Sequence, residues 1–101
     1  MPQIATVGSE TSGHDGYPGT CIITGIDRFT INGKAVAVVG SKCEDHDKPY
    51  GVRHTPIVSE GCSKFTINGI EIAYVGCSVD KNICSGNKIV TGNDHFTINI
   101  S

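Results

Sequence analysis

Three of the four His and two of the five Cys in this sequence stand where they could bind a metal together, and glycines set their spacing. His14 stands six residues after Gly8 and His46 six after Gly40, with Asn82 in the matching place after Gly76. Cys84 follows Asn82 by two residues, and the middle stretch adds Cys43 and His54. Imidazole nitrogen and thiolate sulfur suit a tetrahedral zinc ion; four protein ligands make a closed structural site, whereas a catalytic zinc keeps one position open for water. The expected ligands are His14, His46, His54 and Cys84, with Cys43 as first reserve. They lie far apart along the chain, so the fold must bring three segments to one place.

A repeat supplies the means. Phe29-Thr30-Ile31-Asn32-Gly33 returns as Phe65-Thr66-Ile67-Asn68-Gly69 and again as Phe96-Thr97-Ile98-Asn99-Ile100. A second phrase, apolar-Ala-x-Val-Gly, occurs at Ile4-Ala5-Thr6-Val7-Gly8, Val36-Ala37-Val38-Val39-Gly40 and Ile72-Ala73-Tyr74-Val75-Gly76. The first copy of this phrase has no FTIN before it, and the last FTIN has no such phrase after it. A closed ring of three units, cut between these two, gives that order, with the N-terminal segment completing the unit that the C-terminal segment begins. This predicts pseudo-threefold symmetry within one chain; an open solenoid would need more turns and distinct capping units.

No window carries apolar residues at helical spacing, whereas the alternation around Phe29, Ile31, Ala35 and Ala37 is that of strands. Asn32-Gly33 and Asn68-Gly69 signal type I′ hairpins, whose turn needs positive φ at both central residues. Short strands at Cys21–Thr24, Ile57–Ser59 and Lys88–Thr91 precede each hairpin. The loops Ser9–Thr20, Ser41–Pro56 and Cys77–Asn87 are then expected at one pole, carrying the five candidate ligands. The fold class is all-β: one small domain over 1–101, conical, built of three hairpin repeats with loops converging on a zinc-bound apex. The three Phe recur in step with the strands and are expected in the core.

The remaining candidates fall to the repeat. His95 occupies the slot of Arg28 and Lys64 and is expected to be a solvated polar residue, while Cys21, Cys62 and Cys77 match non-ligand residues in the other units. A net charge of −2 offers no footprint for nucleic acid or an anionic membrane. There is no secretory leader and no apolar run near the ~20 residues of a membrane span, so synthesis in a cytoplasm with reduced thiols is expected. No GxSxG, HExxH or P-loop pattern is present, and a Cys43–His46 pair lacks an orienting third group; catalysis is not expected. A domain of 101 residues has a marginal core. Structural zinc contributes about 10–16 kcal/mol of apparent binding energy in small domains, comparable with a whole fold's stability of about 5–15 kcal/mol.

The order Met1-Pro2-x-Ile4-Ala5, a His-bearing loop, Phe-x-Ile-Asn-Gly, a Cys/His loop, the same phrase again and a terminal Cys loop resembles the PAAR-repeat family across essentially the whole chain. Ala35-Val36-Ala37-Val38 and Glu71-Ile72-Ala73-Tyr74 stand where Pro-Ala-Ala-Arg would be. The resemblance implies a small cone at the point of the central spike of a type VI secretion system or contractile phage tail, with a zinc ion near its apex. His14 falls on the family's first-loop His, His46 and His54 on its middle loop and Cys84 on its last. It further implies one chain per trimeric β-helical spike, a structural, membrane-piercing role as a component of a virion tail baseplate or secreted injection apparatus, and transient contact with a target membrane. Effectors would be held non-covalently, since no residues remain beyond the repeats. The competing reading is a free-standing zinc-binding or redox module without a spike partner.

Overall fold

The computed structural model describes residues 2–13, 18–45, 55–80, 86–93 and 96–98, and among these there is no helix. Two antiparallel hairpins stand out: β1 (Ile26–Ile31) with β2 (Lys34–Val36), and β3 (Cys62–Ile67) with β4 (Ile70–Ile72). Their turns are those the Asn-Gly pairs predict, with φ of 53° at Asn32 and 79° at Gly33, and 53° and 80° at Asn68 and Gly69. The chain's two ends stand in the same relation as a third pair of strands. Gln3 bridges Thr97 antiparallel, the Ile4 N–H donates to the Phe96 carbonyl at 3.0 Å, and the Ile98 N–H to that of Pro2 at 2.9 Å.

The Ala-x-Val-Gly phrases meet at the centre. The Ala5 N–H donates to the Ala73 carbonyl, Ala37 to Ala5 and Ala73 to Ala37, at 3.0, 3.0 and 2.9 Å, which closes a three-membered cycle of backbone hydrogen bonds. A second cycle runs from Val7 to Ala35, Val39 to Glu71 and Val75 to Gln3, at 2.9, 3.0 and 2.9 Å. Within each cycle a unit donates to one neighbour and accepts from the other, and the two cycles run in opposite senses. Only a methyl group fits where three backbones approach so closely, and Ala5, Ala37 and Ala73 are fully buried. Because neighbouring segments cover both sides, Val36, Ala37 and Val38 are buried consecutively, and the expected in-and-out alternation stops there.

Much of the core comes in matched sets. One cluster joins Ala5, Ala37 and Ala73 with Ile22, Val58 and Ile89, and adds Cys43, Val79 and Cys77; the other gathers Ile4, Val36 and Ile72 with Ile31, Val38, Cys62 and Ile98. The glycines before each hairpin allow this packing. A Cβ on Gly25 would lie 2.7 Å from the Val36 carbonyl oxygen, and one on Gly92 3.0 Å from that of Ile4.

The Phe residues depart from expectation. Phe29, Phe65 and Phe96 are 36, 38 and 47% exposed and lie outside both clusters. The cause is a break in register: Ile26 pairs with Val36 but Thr30 with Ala35, so Asp27–Phe29 have no opposite number on β2. Ser63–Phe65 bulge from β3 in the same way, between the Cys62–Ile72 and Thr66–Glu71 pairs. A bulge of this kind takes its residues off the ladder and re-aims their side chains. The Phe29 and Phe65 rings meet edge to face at the surface, with centroids 6.1 Å apart and planes at 80°.

Candidate metal centre

The four expected ligands, His14, His46, His54 and Cys84, lie outside the described residues, as does His95. The segments that carry them are described up to their feet. Each loop is closed at its base by one backbone hydrogen bond: Thr11 N–H to the Thr20 carbonyl at 2.8 Å, Cys43 to Pro56 at 2.8 Å and Val79 to Asn87 at 2.9 Å. Each foot is also tied to the neighbouring unit, through Ser12 to Lys88, Glu44 to Cys21 and Asp80 to Ile57, at 2.8, 2.8 and 2.9 Å. All three loops therefore rise from one level of the fold, each locked to the next.

Side chains add to this stitching. The Ser12 Oγ donates to the Gly86 carbonyl at 3.2 Å and accepts the Lys88 N–H at 3.1 Å. Asp80, which holds a φ of 55°, accepts the Ile57 N–H on Oδ1 at 2.8 Å. In the middle loop the Thr55 hydroxyl donates to the Asp45 carboxylate, drawing together the residues next to His54 and His46. The Asn87 Oδ1 accepts the N–H of Gly13, the residue before His14, at 3.0 Å.

Two polar atoms at this level are buried without a hydrogen-bond partner: the Asn87 Nδ2 and the Thr20 Oγ1. They belong to equivalent positions, since both residues supply the carbonyl that closes a loop; the third such position holds the buried Pro56. Nothing in the sequence singled out these residues, because an Asn or Thr at a loop end is the ordinary composition of loops.

Cys43, the reserve ligand, lies fully buried in the cluster with Ile22, Val58, Val79 and Ile89. Burial pushes its thiol up to about 12, with the Asp80 carboxylate and Cys21 adding to the effect. Cys62 and Cys77 are also core residues, whereas Cys21 is exposed. Among the described residues, no three His, Cys, Asp or Glu side chains are grouped to hold a metal.

Cys77 shows how the repeat uses a thiol. In the equivalent turns the Thr6 N–H donates to Ser9 Oγ and the Val38 N–H to Ser41 Oγ, both at 3.0 Å, while the Tyr74 N–H meets Cys77 Sγ at 3.4 Å. Desolvation, partly opposed by hydrogen bonding from Tyr74, holds the Cys77 thiol at about 11, above its ordinary 9.0. A pKa raised on folding adds stability that is present below pH 9 and lost as pH rises through 11, because the unfolded chain ionises first. Replacing Cys77 with Ser, the residue at both equivalent positions, is expected to change stability at pH 7 by no more than about 1 kcal/mol. It should also remove up to one proton's worth of slope, about 1.4 kcal/mol per pH unit, between pH 9 and 11. Urea midpoints for both proteins across that range test this; parallel curves would show that Cys77 does not titrate on unfolding.

Among the described residues, no helix is long and apolar enough to cross a membrane. The family model of the PAAR motif matches residues 12–80, a stretch that takes in two of the three loops and both hairpins. No curated protein matches the chain.

Proposed function

The chain belongs to the PAAR-motif family, which is associated with the spike tips of type VI secretion and contractile systems, and we propose from this that it is the structural tip of such a spike. In this reading it caps and sharpens a trimeric β-helical spike protein, one chain per trimer, and aids penetration of the target envelope as part of a phage tail or secretion apparatus. The observation that carries it is the three-membered cycle of hydrogen bonds through Ala5, Ala37 and Ala73. A trimeric needle ends in three equivalent chain ends, and a single chain can meet all three alike only if it presents similar surfaces about one axis. Pseudo-threefold symmetry supplies those surfaces.

The docking face in this reading is the one that carries the Phe29, Phe65 and Phe96 side chains, with the hairpin backbones extending the spike's strands. The loop pole is the point. His14, His46, His54 and Cys84 would hold zinc there, and the metal supplies rigidity by crosslinking the loops without taking part in any reaction. Support comes from the three locked loop feet and from the buried, unpartnered Asn87 Nδ2 and Thr20 Oγ1, which suit a site completed by a further group. Cys43 serves as a core residue, leaving the tetrad as stated. The role is mechanical and not enzymatic. The redox alternative, which would use Cys43, Cys77 and Cys84 as thiolates, is disfavoured because Cys43 and Cys77 are buried.

The test is the mass of the complex formed with a trimeric β-helical spike protein, measured by native mass spectrometry. One chain per three spike chains is expected. Three chains per trimer, or no complex, would overturn the proposal.

A further inference from the structure

A residue that only faces water is free to differ from one repeat to the next, because the fold loses little by the change. The exposed flank shows that freedom: Cys21, Ile57 and Lys88 occupy one equivalent position, and Ile23, Ser59 and Val90 another. Two neighbouring positions break the rule. Phe29, Phe65 and Phe96 are identical, and so are Thr30, Thr66 and Thr97 beside them, although all six side chains are exposed.

The fold does not call for the three Thr. Across the ladder they face Ala35, Glu71 and Gln3, three different partners, so cross-strand pairing does not select them. Their hydroxyls find no hydrogen bond among the described residues, whereas Thr6, Thr11, Thr24, Thr55 and Thr91 each use theirs within the chain. What the fold leaves unexplained, a partner with three equal contacts explains. The hairpins also give that partner's sign: Arg28, Lys34 and Lys64 stand against Asp27 and Glu71, a surplus of one positive charge in a chain whose net charge is −2. Arg28 and Lys64 directly precede Phe29 and Phe65. A carboxylate both accepts from a hydroxyl and is drawn to such a surface.

We propose that each Phe-Thr pair, Phe29-Thr30, Phe65-Thr66 and Phe96-Thr97, is one copy of a single docking site, in which the Thr hydroxyl donates to an Asp or Glu side chain at the end of one chain of a homotrimeric partner. The Phe covers the contact, and exclusion of water strengthens the hydrogen bond beside it. The three Thr thereby set which trimer fits: one with an acidic residue at each chain end.

This inference deepens the spike reading above and rests on it. The probe is a trimeric β-helical spike protein, with binding measured by calorimetry. Thr→Val at positions 30, 66 and 97 keeps the shape and strand propensity of each site and removes the donor, so the melting midpoint should not move. The dissociation constant is expected to rise about 10-fold for each single variant and at least about 100-fold for the triple variant. The three single changes should cost alike, a pattern that a structural role in one hairpin would not give. Wild-type affinity should also fall as salt is raised from about 0.1 to 1 M, which shortens the screening length from about 10 to 3 Å, and this arm needs no variant to fold. A triple variant that binds as tightly as wild type, a loss confined to one of the three Thr, or an affinity indifferent to salt would overturn the acidic docking site and leave the capping role standing. Wild type that forms no complex overturns both.

Discussion

Replacing Cys84 with Ser is expected to leave the protein without stoichiometric zinc and to lower its melting midpoint by more than about 20 °C, each kcal/mol being worth about 4–8 °C in a domain of this size. The size of the effect follows from the poverty of the core. No aromatic side chain is buried among the described residues; the interior is Ala, Val, Ile and Cys, in sets that gather close to the axis. With the three Phe at the surface, the burial that would otherwise stabilise about 100 residues is reduced by the bulkiest apolar groups the chain owns. On the proposed reading, zinc would carry a share of stability that the core does not. Loss of one of four ligands leaves an exchangeable, incomplete site, so most of the metal's contribution of about 10–16 kcal/mol is forfeited or weakened. Elemental analysis of the purified variant and a melting curve check this, with wild type treated with chelator as the reference. Equal metal content and an unchanged midpoint would remove zinc from the account of this fold.

The sequence made some parts of this architecture readable and hid others for definite reasons. Asn32-Gly33 and Asn68-Gly69 announced their hairpins because few residues tolerate positive φ, and both pairs adopt it. The Ala-x-Val-Gly phrase marked the segments that form the central cycles, since a position hemmed in by three backbones accepts only a small side chain. The exposure of Phe29 and Phe65 was hidden. Counting in twos from the buried Ile31 puts Phe29 on the inner face, and the bulge that cancels that count depends on pairing with a partner strand. The stitching of the loop feet was hidden for a related reason: Ser12, Asp80 and Asn87 act through residues of other units, Lys88, Ile57 and Gly13, and no local pattern encodes such contacts.

Exchanging Phe29, Phe65 and Phe96 together for Ser is expected to weaken binding to a trimeric β-helical spike by at least about 100-fold while leaving the zinc and the fold in place. Covering a Phe fully gains about 1.5–3 kcal/mol, and these rings are already more than half covered, so each has roughly 1 kcal/mol left to contribute on docking. Three such rings give about 3 kcal/mol, or two orders of magnitude in the dissociation constant. The cost to the free protein is smaller. The rings lie outside both core clusters, and the edge-to-face pairing of Phe29 with Phe65, which the variant gives up, is worth about 0.5–1.5 kcal/mol. Ile23 provides the control: it is more exposed than any of the three Phe, but its equivalents are Ser59 and Val90, so an apolar residue there is not repeated in all three units. Ile23→Ser should bind the spike as wild type does. If the triple variant binds equally well, the cap must be held by its backbone edges alone, and the exposed rings serve some other purpose; if Ile23→Ser is the weaker binder, the docking face lies on the flank of the molecule and the threefold argument for its partner fails.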